Sequence, residues 1–198
     1  SVDWLLYSAI RKEALLTSQI EGTQATLTDL FDEEAGFKVS NTDDVEEVTN
    51  YLRAFRWVQE QLRDPTGLPI SVRLLCDAHR LLLHGARGAG KQPGELRRSQ
   101  NWIGGTRPGN AVFVPPPPER VAELLAEMEQ FIHDTATDLP PMVKVALIHA
   151  QFETIHPFLD GNGRIGRLLI AALFEHWGLL AEPLMYLSGY LKQYQSEY

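Results

Sequence analysis

The 198-residue chain contains one cysteine, Cys76. A single thiol excludes an internal disulfide and a cysteine-built zinc site, and its default place is a buried apolar position. Long hydrophobic runs are missing as well. No stretch approaches the roughly 18 apolar residues that cross a bilayer, and the N-terminus lacks the basic, apolar and small-residue succession of a secretory signal. No membrane partner is expected, and a cytoplasmic compartment fits best. Positive charge is scarce: 18 Lys and Arg face 26 Asp and Glu, for a net charge of −8. Such a chain has no footprint for nucleic acid, so an anionic ligand must be held by a local cluster of cations. Internal repeats and low-complexity linkers are absent too. With 44% hydrophobic residues, this length buries one substantial core. The expectation is one compact domain, divisible at most into an N-terminal segment over 1–40 and a core over 41–198. The chain opens without Met and stops at Tyr198, as a fragment of something longer would.

What is present is helical periodicity, and the fold class it predicts is mainly α. From about Trp4 to Glu21, Leu5, Ala9, Leu16 and Ile20 fall near one face, with Gly22 as a left-handed stop. Val45, Val48, Leu52, Phe55 and Leu62 mark a second helix between Asp43 and Arg63, ahead of the Pro65-Thr66-Gly67 break. Ser71 can cap a third helix through Leu82. Glu119 to Ile132 supplies a fourth, with Val121, Leu125, Met128 and Ile132 inward. Pro140 and Pro141 open a fifth that runs to about Ile155, and Asn162 to Trp177 forms a sixth through Leu168, Leu169, Ala172 and Leu173. The exception is Gln100 to Pro118, where Asn101-Trp102-Ile103 and Val112-Phe113-Val114 flank a Gly-rich turn and predict a β-hairpin. The four prolines from Pro115 to Pro118 read as a rigid connector into the following helix rather than as a polyproline ligand.

Between the fifth and sixth helices, His156 to Arg167 gathers an imidazole, a carboxylate, a Gly-Asn-Gly turn and two guanidiniums within twelve positions. Backbone N–H groups at a helix start have no intrahelical partners and sit at the positive end of the macrodipole, so Gly161, Asn162, Gly163 and Arg164 can cradle phosphate oxygens. Asp160 is a hard oxygen ligand suited to Mg²⁺. Arg164 and Arg167 lie three apart on the helix and make an anion clamp. His156 titrates near neutrality and can take a proton from a hydroxyl attacking phosphorus. Other readings of the same residues are weaker. Gly161 to Gly166 is a literal G-x-G-x-x-G, yet no strand precedes it and no βαβ unit follows. A calcium loop beginning at Asp160 would need Gly at its sixth position and Glu at its twelfth, where Ile165 and Ala171 stand. A merely structural turn leaves the crowding of His156, Asp160, Arg164 and Arg167 unexplained.

The run from His156 to Arg167 matches, without departure, the HPFx(D/E)GNGRxxR signature of the Fic proteins, and on these residues the chain resembles that family. The resemblance implies a Fic-type helical bundle with a short β-hairpin flap, and transfer of AMP from ATP to Tyr, Thr or Ser hydroxyls of a target protein. It implies His156 as general base and Asp160 as the Mg²⁺ ligand, with Mn²⁺ as a substitute. Gly161, Asn162 and Gly163 would form the anion hole, and Arg164 and Arg167 would hold phosphates. Thr17 to Gly22 is similar to the family's inhibitory (S/T)xxxE(G/N) motif, which makes Glu21 a rival of the γ-phosphate for Arg167. The segment from Asn101 to Val114 is similar to the family's flap, so Ala111, Val112 and Phe113 would lie over the nucleotide and a target segment would dock there. Tyr198 is placed by similarity near adenine. The same resemblance admits self-modification and a homodimer, and the same residues admit two alternatives: hydrolytic removal of AMP from a modified protein, and a nucleotide-sensing module with little catalysis. The remaining histidines, His79, His84, His133, His149 and His176, have no spacing that suggests a metal site. Lys91, Arg97 and Arg98 read as a solvated loop.

Overall fold

The computed structural model describes residues 2–85, 89–180 and 186–198. Among them eight α-helices follow in chain order: α1 (Val2–Ile20), α2 (Leu27–Glu34), α3 (Thr42–Arg63), α4 (Val72–Leu82), α5 (Pro118–His133), α6 (Pro141–Ile155), α7 (Asn162–His176) and α8 (Leu187–Gln193). The six helices expected from periodicity are all present. Local chemistry sets their ends. The Ser71 hydroxyl accepts a hydrogen bond from the Leu74 amide at the start of α4, and Pro118 and Pro141 occupy first positions of α5 and α6, where no amide donor is needed. Gly22, at φ +97°, stops the chain beyond α1.

Helix α7 is the centre of the bundle. Ile165, Leu168, Leu169, Ile170, Ala172, Leu173 and Phe174 are all buried, and the helix packs against α1, α3, α4 and α6. A helix apolar on most of its circumference has to be surrounded. On α5, Val121, Leu125, Met128 and Ile132 face the core as their spacing requires. The C-terminus of α5 is tied to α6 by the buried Lys144, whose ammonium donates to the carbonyls of Ile132 and Asp134. Cations at a helix C-terminus complement its carbonyls.

Three details differ from the periodicity reading. Leu5 is 67% exposed, and the inward face of α1 consists of Ala9, Ala14 and Leu15 together with Arg11, Thr17 and Ser18. Polar residues enter that face because α1 packs on charged partners as well as on the core. Helices α2 and α8 lack a long periodic stretch. The first is started by a reciprocal cap between Thr26 and Asp29, and the second is anchored where the Glu13 carboxylate accepts from the amide and hydroxyl of Ser188. The expected β-hairpin contracts to one antiparallel bridge between Ile103 and Phe113, and no longer strand forms among the described residues. Two extended segments with no third strand to pair with gain little, the tip closes in a 3₁₀ turn at Pro108–Asn110, and the prolines from Pro115 onward have no N–H to continue a ladder.

Phe152 of α6 is fully buried, with its ring centroid 6.4 Å from that of Phe158 in the loop leading to α7. Phe152→Ala is expected to cost about 3–5 kcal/mol of unfolding free energy. The reading is a lowered denaturant midpoint with an unchanged slope.

Candidate active site: an anion pocket at the start of α7

Helix α6 ends because His156 turns left-handed (φ 48°, ψ 63°), and α7 begins after Gly161, also left-handed at φ +77°. The intervening loop is closed by the buried Asn162. Its Oδ1 accepts from the Phe158 amide and its Nδ2 donates to the Phe158 carbonyl, each at 2.9 Å. The side chain of Asn162 therefore shapes the loop. What is left for an anion is backbone: the amides of Asn162, Gly163 and Arg164 occupy the first turn of α7, where no intrahelical acceptor exists.

Two residues whose role was not legible in the sequence hold this loop from beneath. Arg97 is buried, not solvated. Its Nε donates to the His156 carbonyl at 2.8 Å, its Nη2 to the carbonyls of Ile155 and Pro116, and its own amide to the Pro157 carbonyl. One guanidinium thus fastens the end of α6, the loop and the root of the bridged segment together. Asn101 adds donations to the carbonyls of His156 and Phe158, and Gln100 donates to that of Pro115. The second residue is His79 of α4. Its Nδ1 accepts from the Gly94 amide at 2.9 Å, which assigns the proton to Nε2, and Nε2 donates to the Asp160 carbonyl at 3.0 Å. The ring stacks on Phe158 at 3.8 Å between centroids. Nothing local marks Arg97 or His79 as a brace of this loop, since the loop carbonyls they bind lie 58 or more residues away. Arg98 and Lys91 are exposed, and Arg98 pairs with Glu95.

Both motif arginines are buried with carboxylates against them. Arg167, its side chain 1% exposed, donates from Nη2 to Glu21 Oε1 at 2.5 Å and to the Thr17 carbonyl, and from Nε to Thr17 Oγ1. Gly163 makes room for this pair, because a Cβ there would stand 2.4 Å from Glu21 Oε1. Burial alone would depress the Arg167 guanidinium; Glu21 and Tyr198 outweigh it and raise its pKa. Arg164 pairs with Glu47 of α3 at 3.3 Å, and the same Glu47 oxygen accepts from the Thr23 hydroxyl just beyond Glu21. Arg164 also stands 3.6 Å from Asp160, whose side chain is 45% exposed and accepts from the Gly161 amide.

His156 is mostly buried, and burial lowers its pKa despite the opposing influence of the Glu153 backbone carbonyl. The imidazole is therefore neutral at pH 7 and able to accept a proton. Tyr198 lies against Arg167: its hydroxyl meets His149 Nε2 at 3.0 Å and Arg167 Nη1 at 3.4 Å. Ala111, Val112 and Phe113 belong to the bridged segment, with Val112 87% exposed. Cys76 is half-buried, and desolvation pushes its thiol up to about 11.

Burial drives the pKa of His79 down to about 4. A group with a folded pKa below its unfolded value of 6.5 binds fewer protons in the folded state, so its stabilising contribution is complete above pH 6.5 and is lost as pH falls toward 4. Glu153, raised to about 7 by burial, acts in the opposite sense. The clean observable is therefore a difference: between pH 7 and 4 the denaturant midpoint of His79→Gln should fall less steeply than that of the parent. Parallel curves would show that His79 does not titrate this way.

The Fic/DOC family model matches residues 69–174, and the model for the N-terminal part of that family matches residues 1–60. The chain is 32% identical over 133 residues to protein adenylyltransferase fic-1 of Caenorhabditis briggsae, covering 67% of this chain and 24% of that protein. It is 29% identical over 163 residues to protein adenylyltransferase Fic of Drosophila willistoni, covering 80% of this chain and 30% of that protein. It therefore spans less than a third of the length of these curated relatives. A crystal structure of a Fic family protein from Desulfovibrio desulfuricans superposes with a TM-score of 0.79 at 24% identity, covering 97% of this chain and 55% of the other, which shows the shared fold. By the match over more than half its length, which includes the loop that joins α6 to α7, the chain belongs to the Fic/DOC family.

Proposed function

We propose that this chain carries a protein adenylyltransferase site, transferring AMP from ATP to a Tyr, Thr or Ser hydroxyl of a target protein, with Glu21 as its brake. The observation that carries the reading is the meeting, in one braced loop, of a neutral His156, the free first-turn amides of α7, and two buried guanidiniums. The naming of relatives as protein adenylyltransferases supports it. The phosphates of ATP lie along the helix start, where amide dipoles and Arg164 and Arg167 balance their charge. His156 takes the proton of the target hydroxyl, the oxygen attacks the α-phosphorus, and the bond to the bridging oxygen breaks as pyrophosphate leaves. The bridge uses the Ile103 amide and carbonyl, the Val112 amide and the Phe113 backbone, and leaves the Val112 carbonyl and Val114 as the edge for strand-like pairing with a target segment.

The residues present suit Mg²⁺. Among the described residues no cluster of three or more His, Cys, Asp or Glu could form an all-protein cage, and Mg²⁺ bound with a nucleotide asks only for one or two carboxylates beside phosphates and water. Asp160, half-exposed at the mouth of the pocket, supplies one. When bound there, the ion would neutralise polyphosphate charge.

The brake is competition for one guanidinium. Thr17 and Glu21 hold three of the donations made by Arg167, and a γ-phosphate must replace them to be held. Transfer of label from α-labelled ATP, on Mg²⁺ addition, should rise at least about tenfold in Glu21→Gly, equivalent to about 1.4 kcal/mol of released competition. Adding His156→Ala to that variant should remove about 10²–10⁴-fold of the rate. Equal labelling in the parent, Glu21→Gly and the double variant would sink the assignment.

A further inference from the structure

The geometry points to Glu153 as the positioning residue for His156, its carboxylate receiving the Nδ1–H of the imidazolium that forms when Nε2 has taken the target proton. This deepens the adenylyl-transfer reading and rests on it. Glu153 sits in the last turn of α6, three residues before His156, and its Oε2 lies 3.8 Å from His156 Nδ1. That is too long for a hydrogen bond and close enough to become one with a small side-chain rotation. Two further facts make the approach more than proximity. His156 Nδ1 and Glu153 Oε1 are both buried without hydrogen-bond partners. Buried polar atoms are seldom left so, because each has given up its hydration; Nδ1 is turned to the Oε2 side of the carboxyl, while Oε1 lies on the Gly166 and His149 side. The second fact is the space allotted to the carboxyl. A Cβ on Gly166 of α7 would stand 2.3 Å from Glu153 Oε1 and 3.1 Å from the His149 ring, so the carboxyl fits only because α7 has no side chain at that point.

The surroundings set how such a carboxylate behaves. Arg167 of α7 favours its ionised form, while Glu21 at the end of α1 opposes it; Tyr198 and, on the preceding turn of α6, His149 complete the polar wall. His156 in turn feels Arg97, Glu21 and Asp160. Burial is the largest influence on Glu153 and pushes its pKa up to about 7, so at neutral pH the group lies near its midpoint and responds to charge appearing beside it. During transfer that charge appears on His156. The hydroxyl O–H bond breaks, its proton goes to Nε2, the oxygen's electron pair forms the bond to the α-phosphorus, and pyrophosphate departs with the electrons of the broken P–O bond. The positive imidazolium is then next to a carboxylate that stabilises it and fixes the ring's orientation.

Two measurements on Glu153→Gln, an isosteric change, decide this. The first needs no nucleotide: titration of the His156 ring by NMR in otherwise identical protein. The two groups titrate as a coupled pair, and loss of the carboxyl should lower the His156 midpoint, because imidazolium and carboxylate stabilise one another. The second compares Glu21→Gly with Glu21→Gly/Glu153→Gln. The expected result is kcat lower by about ten- to a hundredfold, KM for ATP and thermal midpoint unchanged, and the acidic limb of the rate profile displaced downward with the His156 midpoint. Glu153→Asp, one methylene shorter, should be intermediate. An unaltered His156 midpoint overturns the pairing whatever the rates do. A lowered midpoint with unaltered kcat overturns its role in transfer. If Glu21→Gly transfers nothing from ATP, the adenylyl-transfer reading itself fails, while the NMR titration still decides whether Glu153 and His156 pair.

Discussion

A guanidinium sealed inside a protein must bring acceptors with it, and the acceptors of Arg167 come from two other parts of the chain. Thr17 supplies its hydroxyl and its carbonyl, Glu21 a carboxylate oxygen and Tyr198 a phenol oxygen. Because an unpaired buried charge is far costlier than an unpaired neutral group, the docking of α1 on α7 is fixed by this charge as well as by apolar contact. The consequence spreads along α1, whose Glu13 reaches Ser188 and anchors α8. An anion entering the pocket has to offer Arg167 something at least as good as what α1 already provides. Any ligand that binds there is therefore linked to the position of the N-terminal helix, and the linkage runs in both directions.

The same reasoning extends to Arg164. Its partner, Glu47, belongs to α3 and also accepts from Thr23, the second residue past Glu21. Charge is thus balanced by Glu21, just past α1, on Arg167 and by Glu47 of α3, with Asp160 close by, on Arg164. The first-turn amides of α7 carry the positive end of the helix dipole and have no intrahelical acceptor.

Beneath the pocket the arrangement is one of fixed geometry. Arg97 and His79 satisfy the carbonyls that a sharp loop between two helices leaves exposed, and the stack of His79 on Phe158 fills the space below. Helix starts bind anions well only when the amides are held in place beforehand. Arg97 also fastens the base of the bridged segment to the loop, so the two share one anchor.

The parts of this protein that the sequence alone determined are those whose physics is local. Helix periods, the Ser71 cap, the first-position prolines and the twelve residues from His156 to Arg167 can be read in place, because each interaction closes within a few positions of the chain. The family signature added Glu21 as a rival for Arg167, 146 residues away, which spacing could not have supplied. Tertiary structure decided the rest. Whether the flap pairs as two strands or as one bridge depended on the absence of a third strand. Whether Arg97 faced solvent or the floor of the pocket depended on carbonyls about 60 residues downstream. Glu153 and His156 are neighbours on one helix end, yet their burial together and the gap left by Gly166 arise only once α7 is packed against α6. Charge placement is legible along the chain; which charges are desolvated, and against whom, is settled by packing.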